Sequence, residues 1–173
     1  MDISSAKKID GWMSAGELMW LAQIASQSTN VVELGAYKGR STYTLAQHTL
    51  GWVYVVDHWQ GDPNTPGGAH IRDEFYQNLE PFKEKLQVLE MDSKKAWTPL
   101  SLLLTTGADL IFIDDNHEYE HVKWNVHLYR RLVRRGGILA GHDFGVWPGV
   151  QRAVQEEFGR NFSRVQSIWW VKL

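Results

Sequence analysis

The sequence predicts a doubly wound α/β fold, in which a mostly parallel, seven-stranded sheet is the middle of three layers (αβα). Short runs rich in β-branched and aromatic residues alternate with segments of helical periodicity along the chain, and no internal repeat or low-complexity stretch interrupts them. Such alternation is typical of a parallel sheet covered by helices on both faces. The last two strand-like runs have no helix between them, which predicts a closing antiparallel pair.

Apolar runs bounded by turn residues predict the strands, helical spacing of apolar residues predicts the helices, and clusters of glycine and proline predict loops. The expected elements, in chain order, are helix 15–27, strand 30–34, turn 35–39, helix 40–48, strand 52–56, an irregular loop at 61–69, helix 75–85, strand 86–90, helix 94–104, strand 109–113, helix 118–134, strand 138–141, helix 150–158 and strands 162–165 and 167–171.

Capping and breaking residues indicate where two of these helices begin or end. Ser14 and Glu17 have the spacing of a capping box before helix 15–27, which belongs to an N-terminal segment, 1–28, expected to cover substrate or cofactor. Gly136 and Gly137 signal the end of helix 118–134. Four basic residues near that end are interpreted as cations that complement the helix dipole rather than as a nucleic-acid site: Arg130, Arg131, Arg134 and Arg135.

Length and composition indicate one domain that acts on small molecules. With 173 residues, 43% of them apolar, residues 1–173 can form one full core but hardly two domains. A formal net charge of −2 gives no basic field for a nucleic acid or an anionic membrane, so we expect neither partner. Residues 1–13 lack the apolar centre of a secretory signal, and no segment has the apolar length of a membrane span, so we expect a cytoplasmic protein.

Two residue types add to this picture. The absence of cysteine excludes disulfides, thiolate metal ligands and a cysteine nucleophile. The nine tryptophans are expected mainly in the core, and in so short a chain they also suggest a homodimer.

The first strand runs into a glycine loop with the pattern E-x-G-x-x-x-G, formed by Glu33, Gly35 and Gly39. A glycine at 35 allows a sharp turn and a close approach of a ligand, and one at 39 allows the next helix to pack tightly. Asp57 ends the second strand 22 residues after Gly35, where doubly wound folds place an acid that holds the hydroxyls of a ribose. The alternatives are an ordinary strand-helix turn for the glycine loop, and a helix cap or a solvated loop residue for Asp57.

Asp92 and Ser93 follow the third strand, at the same predicted edge of the sheet, and can reach the next part of a nucleoside. They can equally form a helix N-cap.

With these motifs, the sequence closely resembles the class I methyltransferases that use S-adenosylmethionine and have a Rossmann-like fold. The resemblance is carried by ELGAYKGRST, VVDHWQGD, MDS, FIDDNHEYEHV and RRGGILAGHDF, and it is especially close to the family 24-like enzymes that act on macrolide and other antibiotic sugars. It implies that Gly35 lies against the methionine part of the cofactor, Asp57 binds the ribose, and Asp92 with Ser93 touches the adenine. The full cofactor-binding set expected from it is Glu33, Gly35, Tyr37, Gly39, Ser41, Asp57, His58, Trp59, Asp92, Ser93 and Asp114.

Five ionisable residues follow the fourth and fifth strands and should converge at adjacent strand ends: Asp114, Asp115, His117, His142 and Asp143. Adjacent strands are about 5 Å apart, so one divalent cation could neutralise their carboxylates. The family resemblance implies that Asp114, His142 and Asp143 bind this cation, Mg²⁺ or Mn²⁺. His142 stands where relatives carry an acid, and an imidazole shifts the preference toward transition metals.

A bound cation would lower the pKa of a hydroxyl group and fix its oxygen in line with the methyl group of the cofactor. The same resemblance makes His117 the general base, with Asp114 as a second catalytic residue, because the ordinary pKa of histidine suits proton removal near neutrality. The alternative for His117 is a helix N-terminal histidine bonded to local backbone. Asp115, where the family has glycine, is interpreted as a helix cap.

The sequence therefore predicts a metal-assisted O-methyltransferase that acts on a small-molecule or sugar hydroxyl. A metal-independent N- or O-methyltransferase and a non-catalytic nucleoside-binding module remain open. A nicotinamide-dependent oxidoreductase is disfavoured, because Thr42 stands where the third glycine of its G-x-G-x-x-G loop would be.

Overall fold

The computed structural model describes residues 1–61 and 66–173, which form seven strands and six α-helices. The strands are β1 (Asn30–Leu34), β2 (Trp52–Asp57), β3 (Leu86–Glu90), β4 (Ala108–Ile113), β5 (Val133–Gly141), β6 (Ser163–Val165) and β7 (Ile168–Lys172). The helices are α1 (Ala15–Ala25), α2 (Arg40–His48), α3 (Ala69–Leu79), α4 (Ser93–Leu103), α5 (Tyr119–Tyr129) and α6 (Pro148–Phe158). Short 3-10 helices cover Ala6–Lys8, Glu80–Lys85 and Arg130–Leu132.

All seven strands form one sheet in the order β3-β2-β1-β4-β5-β7-β6. Strands β1 to β5 pair in parallel, and β7 is antiparallel to both β5 and β6. This arrangement confirms the predicted doubly wound, seven-stranded sheet with its C-terminal antiparallel pair. The order reverses between β1 and β4, which is where ligands bind in such sheets.

Side chains alternate along the strands between two separate apolar cores, one on each face of the sheet. In β4, Ile111 and Ile113 face a core shared with α4, α5 and α6, whereas Leu110 and Phe112 face a core shared with α1, α2 and α3. Both faces are therefore covered, as the three-layer prediction requires.

The strand ends at the switch point are held in register by backbone hydrogen bonds. The amide of Gly35 donates to Val56, that of Asp114 to Leu34, and that of His142 to Ile113, over 2.7–3.0 Å. The first residues after β1, β4 and β5 therefore stand side by side, and their side chains share one edge of the sheet.

The predicted helix 75–85 is wrong at both ends. The α-helix begins earlier, at Ala69, and continues after Leu79 only as a 3-10 helix. Pro81 explains why the α-helix does not continue past Leu79, because proline lacks a backbone N–H donor and its ring clashes with the preceding turn of an α-helix. Residues 62–65 of the predicted loop 61–69 lie outside the described residues.

The predicted helix 118–134 is also too long. Helix α5 ends at Tyr129, and β5 begins at Val133, so Gly136 and Gly137 lie inside a strand. Ala108 pairs with Val133, and the amide of Gly136 donates to Leu173, so neighbouring strands capture this segment. Arg134 and Arg135 consequently belong to β5 rather than to a helix end.

The predicted strand 138–141 is too short, because β5 begins at Val133. The remaining boundaries differ from the prediction by up to two residues, and the capping box of Ser14 and Glu17 is present. Within the described residues, no helix combines the length and the apolar character needed to cross a membrane.

Tyr129 ties α5 to the start of α4, because its buried hydroxyl donates to the carbonyl of Ser93 over 2.6 Å. We expect Tyr129→Phe to lower the free energy of unfolding by about 1–3 kcal/mol, since a buried carbonyl loses its donor. Urea denaturation measures the change. The matched control is Tyr76→Phe at a side chain that is 45% exposed, and an equal loss in both variants would contradict the assignment.

Candidate active site

A cavity of about 540 Å³ opens at the carboxyl edge of the sheet, at the predicted switch point. Its size lies in the range of small-molecule sites. The structure brings most of the predicted site residues together on its wall, and these are Gly35, Tyr37, Ser41, Asp57, His58, Trp59, Asp92, Ser93, Asp114, His117, His142 and Asp143.

The glycine loop passes directly over the end of β4. Gly35 has a φ of +82°, and a Cβ atom there would collide with the carbonyl oxygen of Asp114. Glycine is therefore required for both the conformation and the close approach. One carboxylate oxygen of Asp57 accepts hydrogen bonds from the amides of Ala36 (2.8 Å) and Tyr37 (3.1 Å), so this acid braces the loop as well as lining the cavity.

Two predicted cofactor-binding residues, Glu33 and Gly39, are not part of the cavity wall. Gly39 has a φ of +90° and lies against Leu79 of α3. Glu33 is fully buried and accepts a hydrogen bond from the hydroxyl of Thr42. Their cofactor-binding role stays a prediction, and the structure gives both a part in supporting the loop.

Burial raises the pKa of Glu33 to about 8, even though hydrogen bonds from Ser41 and Thr42 act in the opposite direction. Burial disfavours the charged form of a carboxyl group, so Glu33 is protonated at neutral pH.

Backbone strain is concentrated at the cavity. The described residues other than glycine with a positive φ are Tyr37, Trp59, Asp143 and Gln166, and the first three line the cavity. A left-handed conformation is unfavourable for side chains with a Cβ atom, and it persists where surrounding contacts enforce it. For Trp59, these contacts are an amide hydrogen bond to Asp57 and an indole N–H that donates to the carbonyl of Tyr37 over 2.8 Å.

His117 forms a pair with Asp143. Its Nε2 lies 2.8 Å from Asp143 Oδ2, and its ring stacks on Trp147 with centroids 4.8 Å apart. The side chain of His117 is only 14% exposed, and it reaches from the end of β4 to the end of β5. His117 therefore bonds to a side chain 26 residues away, and its role as general base stays a prediction.

His142 is surrounded by carboxylates. Its Nδ1 lies 3.5 Å from Asp114 Oδ1 and 3.3 Å from Asp143 Oδ1, whereas its Nε2 lies 3.3 Å from Glu17 Oε1. The hydroxyl of Ser167 is 3.0 Å from the same Nε2. One imidazole thus connects both strand-end acids to α1 and to the residue that precedes β7.

These contacts determine the charges in the cluster. Burial opposes the charge of His142, but the carboxylates of Asp114, Asp143 and Glu17 outweigh it and raise the pKa of His142 to about 12. Burial also opposes the charge of Asp143, yet hydrogen bonds from His117 and His142 hold the pKa of this carboxyl well below its usual range. For Asp114, burial dominates and raises the pKa, with the neighbouring Asp143 acting in the same direction.

The cluster has the chemistry of a cation site. Asp114, His117 and Asp143 each offer a ligand atom, and these atoms lie within 4.8 Å of one another. Two carboxylate oxygens and an imidazole nitrogen suit a divalent cation. The family resemblance implied His142 as the imidazole ligand; in the structure His142 lies against both Asp114 and Asp143, whereas His117 pairs with Asp143.

Asp115, interpreted above as a helix cap, does not cap α5, whose N-cap is Glu118. Its carboxylate instead accepts hydrogen bonds from the hydroxyl of Ser93 (2.6 Å) and the side-chain amide of Asn125, and it lies 2.9 Å from Nε2 of His121. His121 holds the pKa of Asp115 below its ordinary value against the opposing effect of burial. This network fixes Ser93 beside the cavity, and nothing in local sequence indicated it.

Asp92 is the predicted N-cap, and its contact with a nucleoside stays a prediction. It caps α4 by accepting from the amide of Lys94 over 2.9 Å, and it also lines the cavity.

The sequence did not predict that the N-terminal segment also contacts the residues around His142. Glu17 closes the capping box of α1 through one oxygen and accepts from the amide and hydroxyl of Ser167 through the other. Arg40 donates to the carbonyls of Lys7 and Gly11, which fastens the segment before α1 to the cavity rim. A capping box explains Glu17 fully at the level of sequence, so no signal pointed to His142.

The raised pKa of Glu33 predicts a pH dependence of stability. The folded state holds this proton at pH values where the unfolded chain, with an ordinary pKa of 4.5, has released it, so stability falls between about pH 4.5 and 8. Glu33→Gln lacks this loss, so we expect it to gain stability relative to the parent by about 1.4 kcal/mol per pH unit in that window. Urea denaturation from pH 5 to 8 measures the difference, with Glu84→Gln at an exposed glutamate as the control; parallel curves for parent and Glu33→Gln would refute the assignment.

Glu17 predicts a large effect of truncation. It is 3% exposed, and its removal leaves His142 among fewer compensating charges, so we expect Glu17→Ala to cost about 3–5 kcal/mol of stability. Glu80, whose side chain is 64% exposed, pairs with Lys83 on the surface, so Glu80→Ala should cost only about 0–1 kcal/mol. Thermal and urea unfolding of both variants checks the contrast, and a small loss in Glu17→Ala would show that the buried cluster does not depend on it.

Comparison with known proteins agrees with this geometry. Residues 32–144 match the family model described as "Methyltransferase domain" (methyltransferase family 24), which covers more than half of the chain. A comparison with curated proteins gave no match.

Several solved structures share the fold at low sequence identity. The O-methyltransferase TomG from Streptomyces achromogenes, in complex with S-adenosylmethionine, aligns with a TM-score of 0.76 at 14% identity over 99% of this chain and 91% of that one. An O-methyltransferase from Bacillus cereus, in complex with S-adenosylhomocysteine, aligns with a TM-score of 0.72 at 16% identity over 98% of this chain and 86% of that one. The TDP-rhamnose 3'-O-methyltransferase CalS11 of calicheamicin biosynthesis aligns with a TM-score of 0.68 at 16% identity over 90% of this chain and 78% of that one. The chain therefore belongs to the methyltransferase-domain family and has the class I, S-adenosylmethionine-dependent methyltransferase fold.

Proposed function

We propose that this protein transfers a methyl group from S-adenosylmethionine to a hydroxyl group of a small molecule, with a divalent cation at the carboxyl edge of the sheet. The observation that carries the proposal is the cluster of Asp114, His117, His142 and Asp143 in the same cavity as the glycine loop. A fold alone does not determine a reaction, so the argument rests on what these side chains can do.

The cofactor is assigned to the side of the cavity formed after β1, β2 and β3. Gly35 leaves room for close approach, and Asp57, Asp92 and Ser93 follow the next strand ends as a ribose- and adenine-binding series would require. Because Asp57 already accepts the amides of Ala36 and Tyr37, the loop is preorganised before a ligand arrives. That arrangement also argues against a nicotinamide-dependent oxidoreductase, because the amides that would hold a pyrophosphate already bond to an acid.

The residues present fit a divalent cation. Asp114 and Asp143 supply oxygen ligands, and Nδ1 of His142 faces both of them. The opposite nitrogen of His142 faces the carboxylate of Glu17, which is the arrangement that orients metal-binding histidines in many proteins. A cation bound there would lower the pKa of an acceptor hydroxyl and position its oxygen.

The role of proton acceptor is assigned to His117. In the transfer, the acceptor oxygen bonds to the methyl carbon as the carbon–sulfur bond breaks, and the hydroxyl proton must leave. Asp143 contacts Nε2 of His117 at 2.8 Å and so orients the ring, which also stacks on Trp147. An imidazole with a fixed orientation suits a general base.

Two structural neighbours make a secondary-metabolite acceptor the leading candidate. TomG is described as involved in tomaymycin synthesis, and CalS11 acts on TDP-rhamnose. Both are O-methyltransferases, so a phenolic, alcoholic or sugar hydroxyl is the proposed acceptor group.

A metal-independent transfer is the second candidate, and one observation favours it. The imidazolium of His142 already lies against Asp114 and Asp143, so the pair of acids has a positive partner within the chain itself. His117 and Asp143 would then act as the base and its orienting carboxylate without a cation.

Ligand binding tests the proposal directly. We expect calorimetry to show binding of S-adenosylhomocysteine, and paramagnetic relaxation to show binding of Mn²⁺. We expect Asp143→Asn to weaken Mn²⁺ binding by more than about tenfold, because the amide that replaces the carboxylate has no negative charge. Asp73→Asn is the matched control, since that side chain is 61% exposed and lies outside the cavity wall. Failure to bind S-adenosylhomocysteine would exclude the methyltransferase function.

Methyl transfer to a catechol probe separates the two candidates. With Mg²⁺ replaced by excess chelator, the metal-assisted reaction should stop, whereas the metal-independent reaction should continue at the same rate. Under either candidate, we expect His117→Gln to lose about 10²–10⁴-fold in rate, as removal of a general base does.

A further inference from the structure

His121, in the first turn of α5, lines the cavity with a side chain that is 15% exposed. Neither the local sequence nor the family resemblance assigned it a role. Its Nε2 lies 2.9 Å from Oδ2 of Asp115, which follows β4, and 3.0 Å from the hydroxyl of Ser93, which begins α4 after β3. The imidazole therefore stands beside the residues to which the adenine of the cofactor is assigned.

The contacts of Asp115 determine which ring nitrogen of His121 carries a hydrogen. The carboxylate of Asp115 accepts hydrogen bonds from the hydroxyl of Ser93 (2.6 Å) and from the side-chain amide of Asn125 (2.8 Å). A carboxylate that serves two such donors is itself an acceptor, so Nε2 of His121 donates to it. In the neutral ring, Nδ1 then has a lone pair and can only accept a hydrogen bond.

Nδ1 of His121 is available to a ligand. Among residues 1–61 and 66–173, no group forms a hydrogen bond with this atom, and it is not one of the unpartnered atoms that these residues shield from solvent. Because the side chain lines the cavity, a bound molecule can supply the donor. Since Asp115 holds the ring, the lone pair has a fixed direction before a ligand binds.

The hydroxyl of Ser93 is engaged within the same network. It donates to Asp115, accepts from the side-chain amide of Asn125 over 3.2 Å, and faces Nε2 of His121. A hydroxyl group has one hydrogen and two lone pairs, so these three contacts use its full capacity. Ser93 can touch a nucleoside through its carbon atoms, but a hydrogen bond at this point of the wall has to come from a neighbouring group. Nδ1 of His121 offers one.

Building on the proposed function, we propose that Nδ1 of His121 accepts a hydrogen bond from the 6-amino group of the cofactor's adenine and so makes the site selective for a 6-aminopurine. The amino group is the hydrogen-bond donor that an adenine joined to ribose presents. Hypoxanthine, the corresponding 6-oxo purine, presents an oxygen acceptor at the same position. Two acceptors facing each other cannot form a hydrogen bond, and both lose their contact with water.

Two ligands that differ at this one edge of the purine test the selectivity. S-inosylhomocysteine has a carbonyl oxygen in place of the 6-amino group of S-adenosylhomocysteine, and its N1 carries a hydrogen. We expect calorimetry to show that the parent protein binds S-adenosylhomocysteine at least about tenfold more tightly. Equal affinities, or tighter binding of S-inosylhomocysteine, overturn the inference. Binding of neither ligand is a different result, which refutes the proposed function itself.

His121→Gln and His121→Phe show whether the preference comes from this residue. Glutamine keeps a side-chain donor for Asp115, and phenylalanine keeps a ring of similar shape, but both lack Nδ1. We expect each variant to lower the ratio of the two affinities at least about fivefold, as loss of one hydrogen bond to the amino group would.

His127→Gln is the matched control, because His127 lies on the same helix with a side chain that is 51% exposed and pairs with Glu157. This variant should keep the full preference for S-adenosylhomocysteine. If His121 had only a structural role, its variants would weaken both ligands alike, and an unchanged ratio of affinities in both His121 variants therefore overturns the inference.

Discussion

The parallel register of β1, β4 and β5 is the constraint on which the site depends. Backbone hydrogen bonds set Gly35, Asp114 and His142 side by side, and the lack of a side chain at Gly35 allows its loop to lie on the carbonyl of Asp114. A shift of one residue in any of these strands would turn Asp114 or His142 to the other face of the sheet. The cavity and the cluster therefore form together with the sheet.

Around this edge, the protein balances buried charges instead of avoiding them. His142 lies among three carboxylates contributed by α1 and by the ends of β4 and β5. Charges of one sign alone would be costly at this depth, whereas a positive imidazole among them offsets the loss of water. The same balance makes the site responsive to a cation, because the imidazole proton and a metal ion compete for the same oxygen atoms.

Specific contacts hold the strained residues of the cavity wall in place. Tyr37, Trp59 and Asp143 hold left-handed backbone conformations, and each is fixed by contacts that involve Asp57 or His117. Asp57 serves two tasks, since it holds a strained segment and also lines the cavity. A site supported in this way loses little freedom when a ligand binds, which favours both affinity and accurate placement of the reacting atoms.

The sequence by itself determined the alternation of strands and helices, the glycine loop, and the arrival of Asp57, Asp114, His117 and Asp143 at strand ends. These features are local or follow from the topology of parallel sheets, so spacing is sufficient to find them. Tertiary structure decided the rest. Strand pairing took Val133 and Arg134 from a predicted helix. Long-range contacts, such as Glu17 with His142 and Asp115 with His121, gave ordinary-looking residues their place at the site, because no local pattern encodes which distant side chain a buried charge will meet.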